Sequence, residues 1–103
     1  MKQNKTYMSD KSTNVKYVAP FRVHNIAETT ANEFHFNCGE GLPWHSHDVS
    51  HLTMCIIGKC IVRVEGHSDR TMDCDTPSII LPLQIPHEIE AIVPNTIVIN
   101  IYT

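Results

Sequence analysis

The sequence has 103 residues, of which 42% are hydrophobic and 18% are charged, and its formal net charge is -3 at pH 7. This length and composition predict one globular domain. The eight Lys and Arg residues form no basic face, which argues against nucleic-acid binding. No apolar run approaches the ~18 residues of a membrane span, and the N-terminus lacks the apolar core of a signal peptide. The sequence therefore predicts a cytoplasmic protein that binds neither nucleic acid nor membrane.

The chain divides into a polar segment and a β-rich remainder. Residues 1–14 are polar and without periodicity, which predicts a flexible N-terminal arm, and residues 15–103 form the predicted single domain. Short runs rich in Val, Ile, Phe and Thr follow, separated by turn residues, and they predict strands within 15–23, 32–38, 47–57, 60–66, 70–75, 77–83, 87–93 and 96–102. Eight short strands in about ninety residues predict an all-β, antiparallel sandwich or barrel, preferably a jelly roll.

The four cysteines are Cys38, Cys55, Cys60 and Cys74, and none of them forms a CxxC pair. Three lie in apolar, strand-like stretches. With no secretion signal in view, the sequence predicts reduced thiols that belong mostly to the core.

The stretch "WHSHDVSHL" concentrates three histidines, His45, His47 and His51, in seven positions. Side chains alternate along a strand, so these three would share one face of the predicted strand 47–57 and of the residues just before it. Successive side chains on the same face of a strand lie ~7 Å apart. Imidazole is a ligand of Zn, Cu, Fe and Ni, so the cluster indicates a transition-metal site. The alternative is a set of solvated or hydrogen-bonded histidines without a metal.

The spacing around these histidines carries a family resemblance. Five residues separate Gly39 from His45, one separates His45 from His47, three separate His47 from His51, and six separate His51 from Gly58. This resembles the first motif of the cupins, G-x5-H-x-H-x3/4-E-x6-G. The single departure is His51, where that family usually has glutamate.

The second cupin motif, G-x5-P-x-G-x2-H-x3-N, aligns more loosely. Pro82 and His87 fall at the expected offsets, whereas Thr76, Gln84 and Ala91 replace the glycines and the asparagine. The resemblance extends from about residue 16 to the C-terminus. It implies a double-stranded β-helix barrel in which a divalent transition metal (Fe, Zn or Ni) is held by His45, His47 and His87, with His51 in place of the acidic ligand.

The resemblance also implies a small-molecule ligand that is anionic or chelating, because four neutral imidazoles leave the metal charge uncompensated. Cupins commonly pair through outer strands, so a homodimer is expected, with the apolar segment "YVAPF" as a candidate edge. Four protein ligands could close a tetrahedral zinc site or leave positions open on an octahedral ion. Open positions are the preferred interpretation.

Three functions follow from this reading, and no catalytic residue is assigned in any of them. The first is a non-haem iron dioxygenase acting on a small chelating substrate. The second is a zinc- or nickel-dependent isomerase, lyase or cyclase. The third is a metal- or ligand-binding module without catalysis. Asp48, Glu65, Glu88 and Glu90 have the opposite strand parity to the predicted inward residues, so an acid–base carboxylate pair is not expected.

Overall fold

The computed structural model describes residues 5–102, and all the regular structure in this range is β-strand. The eleven strands are β1 (Thr6–Met8), β2 (Lys16–Tyr17), β3 (Arg22–Ile26), β4 (Thr29–Phe36), β5 (Glu40–His47), β6 (His51–Ile57), β7 (Lys59–Val64), β8 (Arg70–Asp73), β9 (Ile79–Leu81), β10 (His87–Ala91) and β11 (Thr96–Tyr102). In the described part of the chain, no helix is long and apolar enough to cross a bilayer.

The strands form two sheets that face each other. The first sheet has the order β1-β5-β10-β7-β8, with β2 also paired to β5, and the second has the order β3-β4-β11-β6-β9. All pairings are antiparallel except that of β2 with β5. The connections from β5 to β6 and from β6 to β7 cross between the sheets, which gives a jelly-roll barrel. The predicted all-β, antiparallel fold is confirmed.

Strand alternation places the core between the sheets. In β11, Thr96, Val98, Asn100 and Tyr102 are buried while the residues between them are partly exposed. The largest fully buried apolar side chains come from both sheets, and they are Phe36, Met72, Leu81, Ile89, Val62 and Val98. Burying apolar surface stabilises the fold by about 25 cal/mol per Å². The interior therefore closes by packing one sheet on the other.

Glycine is required where β6 turns into β7. Gly58 has a φ of 80°, in the left-handed region that side chains with a Cβ disfavour. A Cβ at this position would also lie 2.4 Å from the Thr96 hydroxyl oxygen. The turn therefore places the start of β7 next to the start of β11.

The structure corrects the predicted strand 47–57. His47 is the last residue of β5 in the first sheet, and His51 is the first residue of β6 in the second sheet. Residues 48–50 connect the two strands. His45, His47 and His51 therefore do not share one face of one strand, because the chain changes sheets between the second and third histidine.

Part of the predicted arm also has regular structure. Thr6–Met8 form β1, which pairs with the end of β5 so that Thr6 lies opposite His47 and Met8 opposite His45. Short polar segments such as this one add to a sheet through backbone hydrogen bonds that a hydropathy pattern does not reveal. Residues 1–4 of the predicted arm lie outside the described range, and the domain boundary at residue 15 stays a prediction.

The predicted reduced, core cysteines are correct for two positions. All four are free thiols, and Cys55 and Cys60 are buried, whereas Cys38 and Cys74 are exposed. The exposed pair lies at turns, where the chain runs over the surface.

Candidate metal centre

Three histidines converge because β5 and β10 are neighbours in the first sheet. His45 lies directly opposite His87, and His47 follows His45 on the same face of β5. The ring centroids of His45 and His87 are 4.4 Å apart, and those of His45 and His47 are 4.7 Å apart. All three side chains are buried. Strand pairing thus assembles an inward-facing group from segments forty residues apart.

The rings present ligand nitrogens to a common point. One nitrogen from each of His45, His47 and His87 can be chosen so that all three lie within 4.8 Å of one another. Such a spacing is compatible with three ligands on one ion, since metal–nitrogen distances are about 2 Å.

Backbone carbonyls set the tautomers of two of these rings. The Nδ1 of His45 lies 2.6 Å from the carbonyl oxygen of Pro43, and the Nδ1 of His87 lies 3.0 Å from that of Ile85. A carbonyl oxygen only accepts, so each Nδ1 carries the proton and donates it. In the neutral ring, Nε2 then carries the free lone pair that a metal requires.

His47 is held by the first strand. Its Nδ1 lies 3.2 Å from the Thr6 hydroxyl oxygen, across the β1–β5 pairing. When Nδ1 is protonated it donates to that hydroxyl and leaves Nε2 as the ligand atom, as in the other two rings. Orientation of a ligating imidazole through its second nitrogen is the usual arrangement in metal sites.

Burial keeps the cluster uncharged. Desolvation, with the neighbouring His45 adding to it, lowers the pKa of His47 to about 4. Desolvation and the neighbouring histidines lower the pKa of His51 and of His87 to about 3 each. Burial also lowers the pKa of His45, against the opposing effect of its bond to Pro43. Neutral imidazole is the form that binds metals, so at neutral pH the site needs no proton release to accept one.

Buried nitrogens without partners are the observation that tests the fit of a metal. Among residues 5–102, His47 Nε2, His87 Nε2 and both ring nitrogens of His51 are buried and have no hydrogen-bond partner. Leaving a buried polar group unsatisfied costs about 1–3 kcal/mol. A divalent transition ion would satisfy the Nε2 atoms directly, so the donor set fits such an ion.

His51 lies beside the three-histidine group but outside it. Its ring centroid is 5.0 Å from that of His47 and 5.3 Å from that of His87, and it approaches from the second sheet. The ring of Tyr102 lies 4.8 Å from it on the same sheet. The four predicted ligands therefore come together in space, but the compact ligand group contains His45, His47 and His87 only.

A cavity of about 130 Å³ opens next to His45 and His47. Its lining includes Thr6, Tyr17, Asn32 and Tyr102, which sequence reasoning did not assign to the site. Strand parity could have identified Tyr102, because it lies on the same inward face of β11 as Val98 and Asn100. No pattern in the sequence pointed to Thr6 or Tyr17, since their positions depend on how β1 and β2 pair with β5.

The other histidines lie away from this cluster. His24 and His35 both contact the carboxylate of Glu33, at 2.9 Å and 2.6 Å, and His35 stacks on Phe21. His67 is exposed in a turn. Glu88 is buried, but it is ion-paired with Arg63 at 2.9 Å and faces away from His87 by strand parity. No carboxylate lines the cavity among the described residues.

Two antiparallel sheets closed into a jelly-roll barrel are the architecture of the cupin fold. This chain has that fold, as the spacing of its first motif predicted. No family model matches the sequence, and no curated protein matches it.

Solved structures match the fold closely. KdgF from a Halomonas species has a TM-score of 0.68 at 20% identity, over 78% of this chain and 73% of that one. A cupin-2 domain protein from Shewanella frigidimarina has a TM-score of 0.68 at 15% identity, over 84% and 81% of the two chains. These identities establish the likeness of fold.

A larger protein also contains this fold. The DMSP lyase DddQ from Ruegeria pomeroyi has a TM-score of 0.63 at 18% identity, over 71% of this chain. The matched region covers 36% of the length of that lyase. This chain therefore corresponds to about a third of that protein.

Proposed function

We propose that this protein is a cupin metalloenzyme in which His45, His47 and His87 bind one divalent transition metal through Nε2. The single observation that carries the proposal is the buried cluster whose Nδ1 atoms are held by Pro43, Ile85 and Thr6, while His47 Nε2 and His87 Nε2 have no partner among the described residues. Three neutral protein ligands leave coordination positions for a substrate.

When bound, the metal supplies Lewis-acid polarisation of a chelated substrate or, if it is iron, one-electron chemistry with dioxygen. The protein's residues supply position and exclusion of water. The cavity beside His45 and His47 has mostly apolar walls. Among its lining residues within 5–102, the side chains that can exchange protons are the two histidines and the hydroxyls of Thr6, Tyr17 and Tyr102. Glu88 and Glu90 are committed to Arg63 and do not serve as acid and base.

The first candidate activity is that of a non-haem iron dioxygenase on a small, anionic or chelating substrate. The absence of any carboxylate among the described cavity residues supports it, since isomerase chemistry usually employs such groups. The test is oxygen consumption by iron-loaded protein with candidate chelating substrates. Consumption that requires both iron and His47 supports the activity, and turnover indifferent to oxygen argues against it.

The second candidate is a non-redox zinc or nickel lyase, isomerase or cyclase. The likeness of fold to DMSP lyases favours a lyase within this group. Turnover with zinc in the absence of oxygen would support this candidate. A stable four-histidine zinc site that includes His51, with no exchangeable water, would instead indicate a binding module without catalysis.

A cytoplasmic location is part of the proposal. The four free cysteines support it, because thiols stay reduced in that compartment.

A further inference from the structure

The size of the cavity beside the histidines limits its ligand. Its volume is about 130 Å³, and an enclosed apolar cavity of about 150 Å³ in another protein holds one benzene molecule. The cavity therefore accommodates a molecule of about the size of a single six-membered ring. The cavity is half open to solvent, so this size applies to the enclosed part of the ligand.

One wall of the cavity is apolar. Met8, Phe34, Leu42 and Pro43 line it, together with Pro20. Phe34 and Leu42 are also part of the buried core, so this wall is fixed by packing. An ionised group placed against such a wall loses its hydration without compensation, which costs several kcal/mol in proteins. The body of the ligand must then be uncharged.

The other side chains of the lining are polar but carry no formal charge. His45 and His47 come from the first sheet, and Asn32 and Tyr102 come from the second. Among the described residues around the cavity, none is Lys, Arg, Asp or Glu. A negative charge on the ligand can be neutralised only at the metal end.

From this arrangement we propose that the ligand is a compact amphipathic molecule of single-ring size. It carries one metal-binding anionic group, such as a carboxylate, on an uncharged apolar body. The proposal rests on the metal site proposed above and specifies what that site accepts. Phosphates, polycarboxylates and polyols are excluded because a second charged or strongly hydrated group would lie against the apolar wall.

The N-terminal segment forms part of the mouth of the cavity, where Met8 and Tyr17 are 66% and 58% exposed. Met8 on β1 and Tyr17 on β2 both line the cavity, and both strands are held on β5 by backbone pairing. Tyr7, between Thr6 and Met8, is 50% exposed and hydrogen-bonds to Asp48 on the outside. Shortening Met8 enlarges the cavity, while shortening Tyr7 leaves it unchanged.

The test is calorimetric binding to zinc-loaded protein, after zinc uptake has been measured. Acetate, benzoate and trimesate share a carboxylate but differ in apolar body and in charge. We expect benzoate to bind at least about tenfold more tightly than acetate, because it buries an apolar ring. Trimesate should show no binding at concentrations that saturate benzoate. Met8→Ala should gain about tenfold in affinity for naphthoate, and the matched control Tyr7→Ala should not.

The outcomes separate the two proposals. Zinc uptake followed by equal affinity for acetate and benzoate, or by tight trimesate binding, would overturn the ligand class alone. Equal naphthoate binding by the two variants would overturn the role of β1. Failure to take up zinc would overturn the metal site, and the ligand class with it.

Discussion

At the scale of single residues, the candidate centre depends on hydrogen bonds that fix the histidines from behind. His45 and His87 each donate from Nδ1 to the backbone carbonyl two residues earlier in the chain, whereas the Nδ1 of His47 contacts the Thr6 hydroxyl. The carbonyl contacts cannot be removed by changing a side chain. Thr6 is therefore the one support that a substitution can test cleanly.

Thr6→Val should lower zinc affinity about tenfold, because loss of the hydroxyl frees the His47 ring to rotate and leaves its Nδ1 buried without a partner. Competition with a chromophoric chelator measures this. Thr6→Ser keeps the hydroxyl and should retain wild-type affinity. Equal affinity of the Val and Ser variants would show that the contact does not orient His47.

The buried histidines should also make stability depend on pH. The folded-state pKa values of His47, His51 and His87, at about 4, 3 and 3, lie below the ~6.5 of an unfolded chain. Between these limits the unfolded state binds more protons, so the free energy of unfolding rises with pH. Their contribution is complete above about pH 6.5 and is lost progressively as the pH falls to about 3.

We expect the metal-free protein to lose more than about 2 kcal/mol of unfolding free energy between pH 7 and pH 5, since each excess proton contributes ~1.4 kcal/mol per pH unit. Urea titrations at several pH values measure it. His51→Gln should reduce the slope, and His67→Gln, at an exposed turn, should leave it unchanged. A stability that is flat from pH 7 to pH 5 would contradict a neutral, buried cluster.

At the scale of elements, the site depends on the pairing of β5 with β10, which brings His45 and His87 together. Gly41 lies opposite Glu90 in this pairing, and a Cβ there would be 2.0 Å from the carbonyl oxygen of Ile89. That backbone atom cannot move without disturbing the register that sets His45 opposite His87. Gly41 is therefore a requirement of close strand approach and not of backbone conformation.

Gly41→Ala should destabilise the protein by more than about 2 kcal/mol, as expected for a steric overlap inside a packed sheet, and should weaken metal binding. Gly66→Ala is the control, because Gly66 has a φ of 82° but no atom within 4 Å of the added Cβ. It should cost only the left-handed strain of about 1 kcal/mol. Urea unfolding compares the two, and equal losses would contradict the steric account.

The elements also separate what the sequence could predict from what it could not. Alternation in Thr96–Tyr102 predicted that strand closely, because its two faces differ in burial. His87–Ala91 was also predicted, although all of its residues except Glu90 are buried. The change of sheet after His47 was missed, because the alternation of polar and apolar residues continues through Asp48, Val49 and Ser50. The short strand β1 was missed because backbone pairing to β5, and not hydropathy, holds it. The predicted strand 15–23 contains β2, but the strand ends at Tyr17 and β3 begins only at Arg22.

The site shows the same division. The motif spacing placed His45, His47 and His87 together from sequence, and they form the compact group. His51 was predicted as a ligand from the same motif and from a shared strand face. The shared strand face was wrong, although the fold brings the His51 ring to within 5.0 Å of the His47 ring, and its ligation stays a prediction. The cavity residues Asn32 and Phe34 come from β4, whose distance from the histidines depends on how the sheets pack.

At the scale of the whole molecule, a metal would link the two parts of the first sheet that hold it. Binding to the folded chain alone stabilises it by mass action. The central claim is that this fold holds a metal site built from His45, His47 and His87. The number of metal ions bound per chain distinguishes such a site from a histidine-rich core that binds no metal.

The most direct measurement is elemental mass spectrometry of untagged protein purified without added metal, for wild type, His47→Ala, His51→Ala and His67→Ala. We predict about one transition-metal ion per chain for wild type and for His67→Ala, and none for His47→Ala. His51→Ala should keep the ion, because three ligands remain. Full metal content in His47→Ala, with thermal stability equal to wild type, would contradict the proposed site.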